Sequence, residues 1–382
     1  MSLVQNLKGE VFAGVSAIER LTNSGGVSRN GSLGEIDSFL LLQYPTALGT
    51  AIHATPLIRA LRQAVPRCRI VVAASGFALD VFRNNPGIDQ LIETPNPLKD
   101  LNGSAKVLRR ELPFEGAAFA TLTSTGNERT RIAMQAMLSG ASVRVGFTVV
   151  PKLYRRPLFF DRALSQIANN LRIVEALGHT PVHFEPEIFY REEDLAFARE
   201  TLADAGVQSG QPVAVFVTQT SVTQRKSWRP ERFKAAAEFL TARYGAHILF
   251  VGTAAESAAI DELRSSLSAP STSVAGRTTL SQLAALMSFA TVGLTLDTGP
   301  MHLGRAVGLP MVIIAPAWSP PIEWLPLEND KFRIFKNADM PVPPPADYII
   351  DEVSVDEVTS ALADLLKLYP NRIRDRTENR QD

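Results

Sequence analysis

Cysteine is all but missing from this sequence: Cys68 is the single one in 382 residues. No disulfide can close within the chain, and a cysteine-built metal site has no ligands to draw on. That usage fits a reducing compartment. Charge of one sign is not in excess either, because 39 Lys and Arg stand against 39 Asp and Glu. The broad electrostatic case for a nucleic-acid partner, which rests on basic surplus, is therefore absent. No apolar run reaches the roughly 18 residues of a membrane-spanning helix. Residues Met1 to Asn6 lack the basic start and apolar stretch of a signal peptide. A G-x-G-x-x-G fingerprint is missing after the first strand of either half, which disfavours a nicotinamide dehydrogenase. What is there is ordinary for a soluble enzyme, with 45% hydrophobic residues to fill cores and 20% charged residues to cover them. At about 150 residues per domain the length suggests two domains, and these features together place the chain in the cytoplasm.

Four stretches emerge along the chain. Residues 1–35 carry Leu7, Val11, Val15, Ile18 and Leu21 at helical spacing, then a Gly/Ser/Asn-rich run. The spacing predicts an amphipathic helix, read either as packed on a domain or as lying on a membrane surface at the inner face of the cytoplasmic membrane. Lys8 and Arg20 are few basic residues for the second role. Residues 36–206 alternate strand and helix signals. Strands are predicted at Phe39–Gln43, Arg69–Ala74, Ile88–Ile92, Ala117–Leu122 and Val143–Gly146. Helices are predicted over Ala51–Val65, Asn127–Leu138, Ile167–Leu177 and Glu192–Ala205. After a linker at Gly206–Pro212 the alternation restarts over residues 207–350, with strands at Pro212–Val217, His247–Gly252, Val292–Leu296 and Met311–Ala315. Residues 351–382 hold a last amphipathic helix, Val355–Leu368, and a charged tail. Repeated βαβ units imply an α/β fold: two Rossmann-like, doubly wound parallel sheets facing a central cleft. Ligands of such sheets bind in the loops after the strands.

Four of those loops carry chemistry. Asp297-Thr298-Gly299-Pro300-Met301-His302 follows one strand and opens a helix. Pro300 suits a first helical position and Gly299 allows close approach of a ligand. The amides of Met301 and His302, with the helix dipole, would make an anion site suited to a diphosphate. The bland alternative is that Asp297 and Thr298 merely cap the helix. Thr220 to Trp228 follows the first strand of the second half and supplies hydroxyls with two adjacent cations, Arg225 and Lys226. The loop after the very first strand contains Gly49, Thr50 and His53, and a lone histidine there is more often structural than catalytic. Glu256, after strand His247–Gly252, is placed either to accept from a ribose hydroxyl or simply to favour a first helical turn.

Taken in order and spacing, these segments resemble glycosyltransferase family 9, the ADP-heptose lipopolysaccharide heptosyltransferase family with the GT-B fold. The resemblance runs from about Asp37 to Ala317. It rests on Leu48-Gly49 with Thr55-Pro56-Leu57, Pro86-Gly87-Ile88-Asp89, Arg144-Val145-Gly146-Phe147, Lys226-Ser227-Trp228-Arg229-Pro230-Glu231-Arg232-Phe233, Ala275-Gly276-Arg277-Thr278-Thr279-Leu280 and Asp297-Thr298-Gly299-Pro300-Met301-His302-Leu303. It implies an inverting transferase without a metal or other cofactor, whose partners are an ADP-heptose-like nucleotide sugar and a glycan or glycolipid acceptor. By position, Lys226 and Ser221 would hold the donor phosphates and Glu256 the ribose. Asp297 would contact the transferred sugar, and Thr298, Gly299, Met301 and His302 the diphosphate. The last helix would cross back onto the N-terminal domain.

One departure matters. The family pattern has Gly-Asp in the first loop, with that Asp as the base toward the acceptor; here the pair is Gly49-Thr50. A threonine hydroxyl is no base at neutral pH. His53, three residues on and on nearly the same helix face, has an intrinsic pKa of about 6.5 and is the expected substitute. Three readings stay open: an active glycosyltransferase, a GT-B protein that binds a nucleotide sugar without turning it over, and a nucleotide-sugar epimerase. The first is carried forward.

Overall fold

The computed structural model describes residues 33, 36–114, 117–219, 226–336, 345 and 348–370. The helix expected within residues 1–35, the tail 371–382 and the hydroxyl-rich stretch 220–225 with Ser221 lie outside the described residues. The chain divides into two compact units, 1–187 and 188–382. Among the described residues no helix is long and apolar enough to cross a membrane.

Unit 1 runs β1 (Ser38–Gln43), α1 (Leu48–Ile52), α2 (Thr55–Ala64), β2 (Arg69–Ala74), α3 (Phe77–Phe82), β3 (Gln90–Glu93), α4 (Leu101–Glu111), β4 (Ala120–Thr123), α5 (Thr130–Leu138), β5 (Val143–Phe147), β6 (Arg156–Leu158) and α6 (Gln166–Ala176). Every residue of β1 is buried, because helices cover both faces of a parallel sheet and leave no wet side. The single helix expected over Ala51–Val65 is two. Pro56 has no N–H for the carbonyl of Ile52, and the Thr55 hydroxyl donates to that carbonyl instead at 2.8 Å. The chain breaks at His53 and Ala54 and restarts as α2, with Leu57, Ile58 and Leu61 buried beneath it. The sheet order is β3-β2-β1-β4-β5-β6 and all pairings are parallel. Gly146 on β5 adopts φ of +122°. A Cβ there would lie 2.2 Å from the Thr123 carbonyl of β4, so only glycine lets the two strands pair.

Unit 2 runs α7 (Glu192–Asp204), β7 (Val213–Val217), α8 (Pro230–Tyr244), β8 (His247–Phe250), α9 (Ser257–Ser265), β9 (Ser271–Ser273), α10 (Leu280–Phe289), β10 (Val292–Leu296), α11 (Gly299–Ala306), β11 (Met311–Ile314), α12 (Pro321–Trp324), β12 (Phe332–Phe335) and α13 (Val355–Leu368). Its sheet order is β12-β11-β10-β7-β8-β9. Counted from each unit's own first strand, both sheets have the same order, 3-2-1-4-5-6.

Two expectations of the organisation change. The helix α7 was expected before the boundary, in residues 36–206. It packs instead on α10 of unit 2, where the Ser281 hydroxyl donates to Asp194 Oδ1 at 3.1 Å. The chain leaves unit 1 at 187, ahead of that helix and of the Gly206–Pro212 linker. The last helix, expected to cross to the N-terminal domain, lies on α8. Its Val358, Leu362 and Leu365 are fully buried in the same core as Phe216, Phe233 and Phe250. The amphipathic face read from the sequence is thus consumed within unit 2.

Candidate functional site

In an open parallel sheet, ligands gather at the carboxyl ends of the strands where the strand order reverses. In unit 2 that point lies between β7 and β10. The loop after β7 brings in Lys226, and the end of β10 brings in Asp297. Lys226 Nζ lies 2.8 Å from Asp297 Oδ2 and donates to the Asp297 carbonyl at 3.1 Å. The two side chains are only 13% and 4% exposed. The ammonium also sits 5.4 Å from the ring centroid of Trp318, which follows β11. A buried pair of this kind stabilises little in itself, because desolvation offsets the Coulombic gain, but losing one partner strands the other charge.

The start of α11 completes the constellation. Thr298 is its N-cap residue with extended backbone, and Pro300 stands in the first turn. Thr298 makes no side-chain cap, and its hydroxyl is buried with no hydrogen-bond partner among the described residues. Capping therefore does not account for this residue. A second unpartnered buried hydroxyl belongs to Thr218, just past β7. The expectation of free amides is corrected at Met301, whose N–H donates to the Thr298 carbonyl at 3.1 Å. His302, the fourth residue of the helix, stands where N–H groups enter the helical ladder. With no N–H on Pro300, the Gly299 amide is the donor left at the helix start. The His302 ring lies 5.6 Å from that of Trp324. Burial, with help from the charges of Arg305 and Lys226 and against that of Asp297, pushes its pKa down to about 4. The imidazole is neutral at pH 7, so the ring brings no charge to an anion, whereas Lys226 does.

Glu256 lies in the loop after β8, inside a capping box: its Oε2 accepts the Thr253 N–H at 2.7 Å. The neighbouring Gly276 explains part of the Ala275-Gly276-Arg277 motif. Its φ is +67° and a Cβ would come 2.6 Å from the Ala254 Cα, so glycine lets the loops after β8 and β9 close on one another. In Lys226-Ser227-Trp228-Arg229-Pro230-Glu231-Arg232-Phe233, several residues after the lysine are structural. Trp228 Nε1 donates to the Val353 carbonyl at 3.0 Å, the Ser227 carbonyl accepts from the Ile350 N–H, and Arg229 and Arg232 both reach Asp351. They clamp the returning chain so that Lys226 is held at the end of the loop.

The switch point of unit 1, between β1 and β4, is different in kind. Its two loops are stitched by amides. Asn127 Oδ1 accepts the Tyr44 N–H at 2.7 Å, Gln43 Nε2 donates to Ser124 Oγ at 2.6 Å, and Asn170 joins the Thr125 N–H to the His53 carbonyl. Gly49 and Thr50 are buried in α1. His53, the expected base, is 1% exposed and follows α1 directly. Sequence reasoning did not single out Glu128 in the loop after β4, nor Trp318, Trp324 and Thr218 of unit 2. Trp318 and Trp324 lie in a Pro-rich stretch that reads as mere connection, and Thr218 stands alone at a strand end. Among the described residues no three His, Cys, Asp or Glu side chains cluster as metal ligands would.

Two six-stranded doubly wound parallel sheets of one strand order are the architecture of the GT-B fold class. Comparison with known proteins narrows the class. The family model of glycosyltransferase family 9 (heptosyltransferase) matches residues 144–339, just over half of the chain. Lipopolysaccharide heptosyltransferase 3 of Escherichia coli is 23% identical over 338 residues, spanning 85% of this chain and 97% of its own. The crystal structure of the glycosyl transferase family 9 from Veillonella parvula superposes with a TM-score of 0.76 at 20% identity, covering 86% and 97% of the two chains. E. coli ADP-heptose lps heptosyltransferase II gives 0.69 at 19%, covering 86% and 98%. The chain belongs to glycosyltransferase family 9, and the two structural likenesses establish its fold.

Proposed function

We propose that this protein moves a heptose-like sugar from an ADP-heptose-like donor to a lipopolysaccharide or other cell-envelope glycan acceptor, inverting the anomeric carbon and using no metal ion. The observation that carries the reading is the Lys226–Asp297 pair at a switch point where two buried threonine hydroxyls, Thr298 at the start of α11 and Thr218 just past β7, have no hydrogen-bond partner among the described residues. A sugar diphosphate supplies what that arrangement lacks. Its phosphate oxygens accept from the Thr218 and Thr298 hydroxyls and the Gly299 amide, and draw Lys226 off Asp297. Asp297, relieved of its partner, accepts from hydroxyls of the transferred sugar. As the bond to the diphosphate breaks, charge grows on the leaving oxygen, and a cation and a helix terminus already in place stabilise it without reorganisation. The metal-free reading is supported by that division of labour. Glu256 Oε2 is committed to Thr253, so ribose recognition falls to Oε1, and Ser221 joins the phosphate contacts. The work is done in the cytoplasm, with peripheral contact to the membrane that carries the acceptor.

The test is transfer itself. ADP-heptose is incubated with a truncated lipopolysaccharide, with and without EDTA; heptose gain is read by mass spectrometry and the new linkage by NMR. A heptose added with inverted configuration, unaffected by EDTA, is the expected result. ADP-heptose bound but never consumed identifies an inert binder, and donor rearranged without acceptor identifies an epimerase.

A further inference from the structure

Transfer to a hydroxyl leaves a proton to be removed, and position 50, which carries a carboxylate in the family pattern, is here a threonine. We propose that Glu128 is the general base of this reaction, supplied from the loop after β4 rather than from α1; the inference rests on the transferase reading above.

The geometry is local to unit 1. The Thr50 Cγ2 methyl lies 2.3 Å from where a Cβ on Gly126 would sit, so α1 and the loop of residues 124–129 are in direct contact at the switch point. Gly126 has φ of +78°, which turns the chain tightly there. Asn127, one residue on, is pinned to the end of β1 through the Tyr44 N–H, and Glu128 follows it. Glu128 is thus held two residues from Gly126, on a tied loop in contact with Thr50. Among the described residues of the loops after β1 and β4, and of α1, Glu128 is the single carboxylate. It is half-buried, whereas His53 is 1% exposed.

The surroundings suit a base. Burial raises the Glu128 pKa above the usual glutamate value, against backbone hydrogen bonding at Glu128 and Gly126 and the charge of Arg129. A partly desolvated carboxylate takes a proton more readily than one in water. The other titratable group in electrostatic contact is Tyr154, whose hydroxyl bonds Thr123 Oγ1 at 2.8 Å and whose pKa is pushed up to about 12, so it keeps its proton. In the step, the acceptor O–H bond breaks toward a Glu128 carboxylate oxygen. The electron pair left on the acceptor oxygen forms the new bond to the anomeric carbon, and the proton stays on Glu128. The bond from that carbon to the diphosphate breaks, and its pair departs with the nucleoside diphosphate.

Glu128→Gln is expected to lower kcat with ADP-heptose and truncated lipopolysaccharide by about 10²- to 10⁴-fold, with ADP affinity unchanged by calorimetry. The wild type loses kcat/KM as pH falls through the Glu128 pKa, because the base must be ionised; that acid limb vanishes in the variant. Thr50→Asp in the Glu128→Gln background restores turnover. Wild-type kcat in Glu128→Gln, equal loss of ADP binding, or the whole loss reproduced by His53→Ala would overturn the assignment. A second measurement needs no turnover. The Glu128 carboxyl is titrated by carbon-13 NMR in the wild type and in Thr50→Asp. Two neighbouring carboxylates raise one apparent pKa, so an upward shift is expected, and an unmoved titration removes Glu128 from reach of position 50. A wild type that transfers nothing while this shift is present sinks the transferase reading rather than the adjacency.

Discussion

The two units share a strand order and differ at the place where that order reverses. In unit 2, the gap between β7 and β10 holds an ammonium, a carboxylate, a helix start without a side-chain cap and two buried hydroxyls with no partner. In unit 1, the equivalent gap between β1 and β4 is filled by side-chain amides, and Asn127 and Asn170 each bridge separate segments. Topology provides the same crevice twice, and the residue types decide its use. What sets the unit 2 crevice apart is its charge: a buried ammonium and carboxylate stand beside a helix start. The unit 1 crevice is tied across its two loops by neutral amides, which suits a mount for one reactive group, although Gln43 Oε1 and Thr125 Oγ1 there are also buried with no hydrogen-bond partner among the described residues.

That contrast can be broken in four ways. The largest effect belongs to Lys226→Ala, which leaves the Asp297 carboxylate buried alone. Unfolding by denaturant is expected to show a loss of about 3 kcal/mol, much of it recovered in the Lys226→Met/Asp297→Asn double variant. Unchanged stability would mean that the pair is not buried in solution. Next is Gly146→Ala. The new methyl meets the Thr123 carbonyl at a φ that L-residues avoid, and a cost of about 2 kcal/mol is expected. A midpoint shift in the unfolding of unit 1 checks it.

A third pair of variants sharpens the comparison directly. Asn127→Ala orphans the Tyr44 N–H and is expected to destabilise by about 1–3 kcal/mol. Thr218→Val removes a hydroxyl that bonds nothing, so thermal stability holds or rises while ADP affinity falls. If Thr218→Val destabilises as Asn127→Ala does, the hydroxyl is structural and the contrast fails. The smallest effect is in pH. Between about 4 and 6.5 the unfolded chain protonates His302 and the folded chain does not. The unfolded state binds the extra proton, so stability falls as pH drops through that window. A His302→Asn variant should show a shallower slope, measured by urea midpoints at successive pH values.

Much of the architecture could be read from the residues. Apolar runs such as Arg69–Ala74 and Val292–Leu296 are strands with those same bounds, and Pro230–Tyr244 is a helix from its proline onward. The edge strands β6 and β12 escaped notice because three or four half-exposed residues, one of them Pro157, carry no strong pattern. The partner of α7 could not be read either, since an amphipathic helix shows that it has an apolar face but not what will cover it. At the site, Lys226 and Asp297 were visible because each follows a strong strand signal. Their mutual pairing was not, nor was the loss of the Met301 amide to the helix's own first turn. Glu128 is one acid in a polar loop, and only the fold brings that loop against Thr50.

The central claim is that the β7/β10 switch point receives a nucleoside diphosphate through Lys226. Isothermal titration of ADP into the wild type and into Lys226→Ala, with no acceptor present, tests it most directly. The account predicts binding by the wild type and affinity weakened roughly 10²-fold in the variant, the scale for truncating one partner of a desolvated charge contact. Equal affinity in the two proteins would contradict it.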